Sequence, residues 1–183
     1  TSYGYFAGGW GSPSPTSIVN RVDYSNDTPT AVAKGPLSAG KNDAEGTGNS
    51  SYGYFAGGSQ YPSPDTSSID RIDYANDTAT AVVKGPLTSA RYAMGATGNS
   101  SHGYFGGGDT GPAGLSSIER IDFANDGVGS SPKGSLSISR DYLSATSARS
   151  NALPIVGSTV SEFTNIVTRQ YYPVSQRGYW TGG

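Results

Sequence analysis

Residues 21–38, RVDYSNDTPTAVAKGPLS, return as RIDYANDTATAVVKGPLT at 71–88, and again as RIDFANDGVGSSPKGSLS at 120–137. The offsets are 50 and then 49 residues. A chain that repeats at such an interval folds as a string of like units, each too small to bury its own apolar face and each needing its neighbours. Other segments keep the same register. EGTGNSS at Glu45 matches GATGNSS at Gly95, and the stretches TSYGYFAGG, SSYGYFAGG and SSHGYFGGG open on Thr1, Ser50 and Ser100. A degenerate fourth copy is visible in IVTRQYY at 166–172, which matches IVNRVDY at 18–24 and places Arg169 49 residues after Arg120. The expectation is a single repeat domain over residues 1–183, with units of approximately 1–50, 51–100, 101–149 and 150–183.

Each unit reads as four short strands. A small-residue strand (RYAMGATG, 91–98) turns at Asn-Ser-Ser into an aromatic strand ending on a glycine pair. A loop of variable length leads to SIDRIDYAN (68–76), and the Asn-Asp pair turns the chain into TATAVVKGPL (78–87). Period-two alternation, β-branched residues and turn chemistry all indicate strands, and no segment has helical periodicity. Hydrophobic residues are only 34% of the chain and glycine is abundant, at 27 residues. Disorder is nevertheless excluded by thirteen tyrosines and many Val and Ile at patterned positions.

Four strands in about 50 residues is the size of a β-propeller blade. The order R-x-x-x-G-A-T-G-N, aromatic strand, Gly-Gly, S-x-I-x-R-I-D-Y, N-D-T, G-P-L resembles a kelch repeat. The kelch Trp after the Tyr-Asp turn is missing, with Ala79, Thr80 and Ala81 in its place. The expected fold is therefore all-β, a small kelch-like β-propeller of about four blades, three regular and one degenerate. The C-terminal SQRGYWTGG (175–183) fits a first strand and would complete the N-terminal blade, leaving no open sheet edge. The alternative is a segment of a larger ring or of an oligomer. Because the chain begins within a motif, it is expected to be processed or to be a piece of something longer. The combination of GYFAGG, RIDYANDTATA and KGPL also resembles repeats of marine cyanophage structural proteins, tail-fibre-like ones above all. That resemblance implies a virion location and attachment to a host surface.

Several function classes are disfavoured by composition. Net charge is −2 with no basic stripe, so neither nucleic acid nor an anionic membrane surface is an expected partner. No apolar run approaches the roughly 18 residues of a spanning helix, so membrane insertion is not expected. Zero Cys removes disulfides and thiol chemistry, and a lone His102 argues against zinc or copper. The D-Y-x-N-D turns have the look of calcium loops. In the most EF-hand-like of them, DFANDG, position three is Ala124 and position twelve is Lys133, so the ligand set fails. No metal and no cofactor are expected. The recurring Arg21, Arg71, Arg120 and Arg169, with Asp23, Asp73 and Asp122 two residues on, read as an ion-pair set within or between blades.

Glycine pairs repeated in every unit serve the unit rather than a phosphate, since no helix and no P-loop Lys-Ser/Thr follows them. The aromatics before them alternate between sheet faces and are expected to pack between blades. Candidate binding residues begin just after the pairs, where the copies diverge in length and type: Trp10, Ser59, Gln60, Tyr61, Asp65, Asp109 and Thr110. The expected function is non-enzymatic attachment to a host surface glycan or receptor, in contact with other virion subunits and in several copies. The alternatives are a purely structural virion or cell-surface component and a polysaccharide hydrolase. The hydrolase would have to draw on the non-repeated acids Glu45, Asp65, Asp109 and Glu162, which form no obvious pair.

Overall fold

A computed structural model describes residues 2–111 and 113–147. They form three antiparallel sheets that follow one another along the chain. Sheet 1 holds β1 (Tyr3–Ala7), β2 (Val19–Asp23) and β3 (Val32–Ala33). Sheet 2 holds β4 (Glu45–Gly48), β5 (Tyr52–Ala56), β6 (Ile69–Asp73) and β7 (Val82–Lys84). Sheet 3 holds β8 (Gly95–Gly98), β9 (His102–Gly106), β10 (Ser117–Asp122) and β11 (Ser131–Ser135). Each is a simple meander in which spatial order follows chain order. The register repeats as the sequence does: Tyr5 faces Arg21, Tyr54 faces Arg71 and Tyr104 faces Arg120. The degenerate fourth unit, 150–183, with the expected closing strand 175–183, lies outside the described residues.

Turn chemistry sets the strand ends. Asn49 Oδ1 accepts from the amides of Ser51 and Tyr52 at 2.8 and 2.9 Å, and Asn99 does the same for Ser101 and His102. A short side-chain acceptor holding the next two amides is what makes Asn-Ser-Ser a tight turn. After the third strand the chain enters a 3-10 turn, Tyr74–Asn76 and Phe123–Asn125, capped by Asp73 and Asp122. The sequence suggested a plain hairpin there. It also suggested longer strands: β8 begins only at Gly95, because Ala93 takes φ +53° and the chain peels off the sheet before it.

The apolar core lies between sheets. Tyr54, Ala56, Ile69 and Leu87, in or just after sheet 2, meet Met94, Phe105, Ile121 and Phe123, in or beside sheet 3. Val19 and Leu37 of the first unit meet Ile72 and Ala81 of the second, with Tyr5, Phe55 and Tyr74 alongside. Tyr54 and Phe55, adjacent on β5, serve opposite junctions, as strand alternation requires. Ring stacking marks each junction: Tyr5 on Tyr74 at 4.9 Å, and Tyr54 on Phe123 at 4.8 Å. Such pairs add roughly 0.5–1.5 kcal/mol beyond area burial.

A carboxylate closes each junction. Asp77 Oδ2 accepts from Arg21 Nη1 at 2.7 Å and from the Tyr5 hydroxyl at 3.0 Å, while Oδ1 takes Lys34 Nζ at 3.1 Å. Asp126 repeats the set with Arg71 at 2.8 Å, Tyr54 at 2.9 Å and Lys84 at 3.1 Å. The arginines therefore reach the next sheet's Asn-Asp carboxylate rather than the Asp two residues on in their own strand. Asp23, Asp73 and Asp122 instead accept from the backbone amides of Ser25, Ala75 and Ala124 in their own turns. Backbone bonds run beside the carboxylates: Gly35 N donates to Asp77 O, and Gly85 N to Asp126 O.

A second carboxylate works at the third strand of sheets 2 and 3. Asp70, fully buried, accepts from Ser38 Oγ at 2.6 Å and pairs with Lys41 at 3.2 Å. Glu119 takes Thr88 Oγ1, Arg91 and Ser130 in the same way. These bonds tie the segment entering each sheet to that sheet's third strand. Burial depresses the Lys41 ammonium, and Asp70 offsets this only in part.

Burial alone would lift the Asp77 carboxyl, but hydrogen bonds from Lys34, Tyr5 and Arg21 outweigh it and hold it below 3.8. Asp126 is held low in the same way by Lys84, Tyr54 and Arg71. Burial, together with the bond to Asp77, pushes the Tyr5 phenol up to about 12. A carboxylate depressed in the folded state contributes stability that is complete above its unfolded value and is lost as pH falls through its folded one. Asp77→Asn is therefore expected to cost roughly 1–3 kcal/mol at pH 7, since it leaves Arg21 and Lys34 without their anion. In urea titrations the deficit should shrink as pH drops below 3.8, because the wild type then loses the same charge.

Candidate functional site

The glycine pairs lead into the variable loops, and their geometry is the same in the three described units. Gly57 and Gly58 have φ of +64° and +104°, and the other two pairs lie close to these values. A Cβ on Gly57 would stand 2.3 Å from the carbonyl oxygen of Arg91, in the segment entering the next sheet. Gly58 N donates to that same carbonyl at 2.9 Å. The glycines are thus where one sheet's second strand touches the next unit's entry segment, and only a residue without a side chain fits. This bears out their structural reading and puts each loop beside the segment that opens the following sheet.

Two of the predicted residues come together directly. Trp10 follows the first glycine pair and Tyr61 stands four residues after Gly57; they are 55% and 62% exposed. Their rings lie 6.0 Å apart with planes tilted by 46°, forming an open aromatic shelf from two adjacent loops. The loops carrying them are tied down at their bases. Thr16 N donates to Gly9 O, Thr66 N to Gly58 O, and Ser63 N to Gln60 O, while Ser59 exchanges both backbone bonds with Asn42.

Asp109 and Thr110 belong to the third loop, and Asp65 to the same loop as Tyr61. Asp109 exchanges both backbone bonds with Tyr92; its Oδ2 accepts from the Tyr92 hydroxyl at 3.1 Å and its Oδ1 from Gly111 N at 2.8 Å. Both carboxylate oxygens are therefore engaged in shaping the third loop. The bond to Asp109, then burial, raises the Tyr92 phenol, and Asp65 adds a smaller negative influence from the second loop. Asp65, Gln60, Ser59 and Thr110 are all half-buried.

The entry segments on the same side were not singled out from sequence. Asn42, Asp43, Tyr92 and Tyr142 occupy them, and their backbones interlock: Ala93 N donates to Asp43 O at 3.0 Å, and Tyr142 N to Ala93 O at 2.8 Å. The available signal was divergence between copies, since KND, RYA and RDY stand at matching positions in Lys41–Asp43, Arg91–Ala93 and Arg140–Tyr142. Glu45 begins β4 beside them, its carboxyl raised by burial and then by Asp43. Among the described residues, no group of three His, Cys, Asp or Glu is placed to hold a metal.

A cavity of about 830 Å³ opens at the opposite end of sheets 1 and 2. Tyr3, Tyr5, Tyr52 and Tyr74 line it, with Asn49 and Asp73. Two of these rings already carry a cation: Arg21 lies 4.0 Å over Tyr3, and Arg71 4.3 Å over Tyr52.

No protein-family model matches this sequence, and no curated protein does. Among solved structures, one titled "Structure of YjhT" aligns with a TM-score of 0.59 at 14% identity. The alignment covers 74% of this chain and 43% of that one. The likeness is one of fold, and this chain spans less than half the length of that neighbour.

Gly57→Ala tests the close approach that positions the loops. It is expected to cost roughly 2–4 kcal/mol, combining backbone strain with a displaced carbonyl. Gly134→Ala, where nothing lies within 4 Å of an added Cβ and φ is not positive, should be nearly neutral in the same denaturation assay.

Proposed function

We propose that the three sheets are consecutive blades of a kelch-like propeller whose loop side attaches a virion to a host surface, by binding glycan without chemistry on it. The blade reading is supported by the meander order, by the shared register of β1–β2, β5–β6 and β9–β10 and by β4 lying beside β8, where Thr47 Oγ1 donates to Thr97 O at 3.1 Å. Strands at corresponding positions would line a common axis in such a ring.

The observation that carries the binding reading is the Trp10–Tyr61 shelf. Two large rings lie open on adjacent loops of a rigid scaffold, with planes tilted rather than stacked on each other. Amphipathic aromatics with a polar edge and an apolar face suit the C–H faces of a pyranose, and Gln60 and Ser59 stand next to Tyr61 for the hydroxyls. One shelf binds weakly; multivalent display raises avidity by roughly 10²–10⁴ without any new contact. The non-enzymatic reading is supported by Asp109, whose two oxygens are taken by Tyr92 and Gly111.

Displayed at high valency on a glycan array, the chain should retain a defined set of surface polysaccharides. Trp10→Ala and Tyr61→Ala should each weaken that binding about tenfold or more while leaving thermal unfolding within a few degrees of wild type. Absence of any glycan retention at high valency would sink the attachment reading, and release of sugar product would replace it with a hydrolase.

A further inference from the structure

The two junctions within the described residues show what each sheet offers its neighbours. The leading side, turned toward the preceding unit, presents an Asn-Asp carboxylate (Asp77, Asp126) and an aromatic ring (Tyr74, Phe123). The trailing side presents a Tyr, an Arg and a Lys: Tyr5, Arg21 and Lys34 in sheet 1, and Tyr54, Arg71 and Lys84 in sheet 2. Among the described residues, one leading side remains, and one trailing side on which Leu143, Ala145 and Ser147 cover only the β8 edge.

On sheet 1 the leading side carries Asp27 and Tyr24, 50 residues before Asp77 and Tyr74. Asp27 is exposed, whereas Asp77 is 7% exposed. Tyr24 and Phe6 are 65% and 66% exposed, where Phe123 and Phe105, at matching positions in sheet 3, are 8% and 0%. On sheet 3 the trailing side carries Tyr104, Arg120 and Lys133. Lys133 is exposed where Lys34 and Lys84 are half-buried, and Arg120 makes no ion pair among the described residues.

We propose that these two sides are halves of one interface, and that a second copy of the chain completes it. Asp27 of one copy accepts from Tyr104, Arg120 and Lys133 of the other, and Tyr24 stacks on Tyr104. The geometry is that of Asp77 and Asp126, already built twice, and the charges match: one exposed carboxylate against two cations. Residues 148–183 are a poorer occupant on sequence alone. Aligned on Arg169, they put Leu153 at the Tyr104 position and Gly182 at the Lys133 position, and Ser175 where Asp126 stands; they contain no Asp. A contact that joins unlike sides leads copies head-to-tail, into a ring where the rotation closes.

Sedimentation of the 183-residue chain over a concentration series tests this, with circular dichroism to verify folding. The wild type should associate reversibly. Asp27→Arg and Arg120→Asp should each weaken self-association at least tenfold. An equimolar mixture of the two variants should regain it, since the new cation on one copy then meets the new carboxylate on the other. If Arg120→Asp does not fold, Lys133→Glu on the exposed rim takes its place, and should weaken association in the same direction. A wild type that stays monomeric at every concentration would overturn the proposal. So would self-association that Asp27→Arg leaves unchanged, or a mixture that fails to re-associate.

Discussion

The architecture depends on a carboxylate that one sheet lends to the sheet before it. Asp77 and Asp126 each gather an Arg, a Lys and a Tyr hydroxyl from the neighbouring unit, with a stacked ring pair alongside. Three- and four-stranded meanders of two- to six-residue strands bury little on their own. Packing their faces together creates the apolar core, and the charged set fixes how far one sheet slides or turns against the next. The ions are held near the surface, with Arg side chains about a quarter exposed. Desolvation is therefore moderate, and the Tyr hydroxyl supplies an additional donor.

This arrangement separates two tasks along the chain. Residues that recur in the three regular units build junctions: the glycine pair, the Arg, the Asn-Asp turn and the Gly that follows Lys34 or Lys84. Residues that differ between units sit on loops that the junctions hold in place, as the Trp10–Tyr61 pair shows. The close approach at Gly57 links the two, since the same contact that packs two units also sets the base of the loop bearing Tyr61. Substitution on the loops thereby costs the fold little, while substitution at the repeated positions is felt by two units at once.

Much of this was legible in the sequence, because a repeat at 49 or 50 residues announces the unit and period-two alternation announces the strands. The position of the glycine pairs and the packing of aromatics between sheets follow from the same pattern. The partner of each Arg was not legible. Alternation puts Arg71 and Asp73 on one side of a strand and so suggests that they meet, but Asp73 is drawn into capping its own 3-10 turn, and Arg71 crosses to Asp126, 55 residues away. Nor did composition reveal Asp70 and Glu119, since a carboxylate beside β-branched residues reads as a solvent-facing position until its Lys or Arg is placed against it. The aromatic shelf was half visible: divergence after Gly9 and Gly58 marked Trp10 and Tyr61, whereas their meeting depends on how adjacent units lie.

The central claim is that the junction carboxylate couples sheets energetically rather than merely decorating a hydrophobic contact. A double-mutant cycle across Arg71 and Asp126, using Arg71→Met and Asp126→Asn, isolates that coupling from the burial around it. Measured by urea unfolding at pH 7 and moderate salt, the account predicts an interaction energy of about 1–3 kcal/mol favouring the wild-type pair. Additive losses, with a coupling near zero, would contradict it and leave the aromatic stacking and apolar burial to hold the sheets together alone.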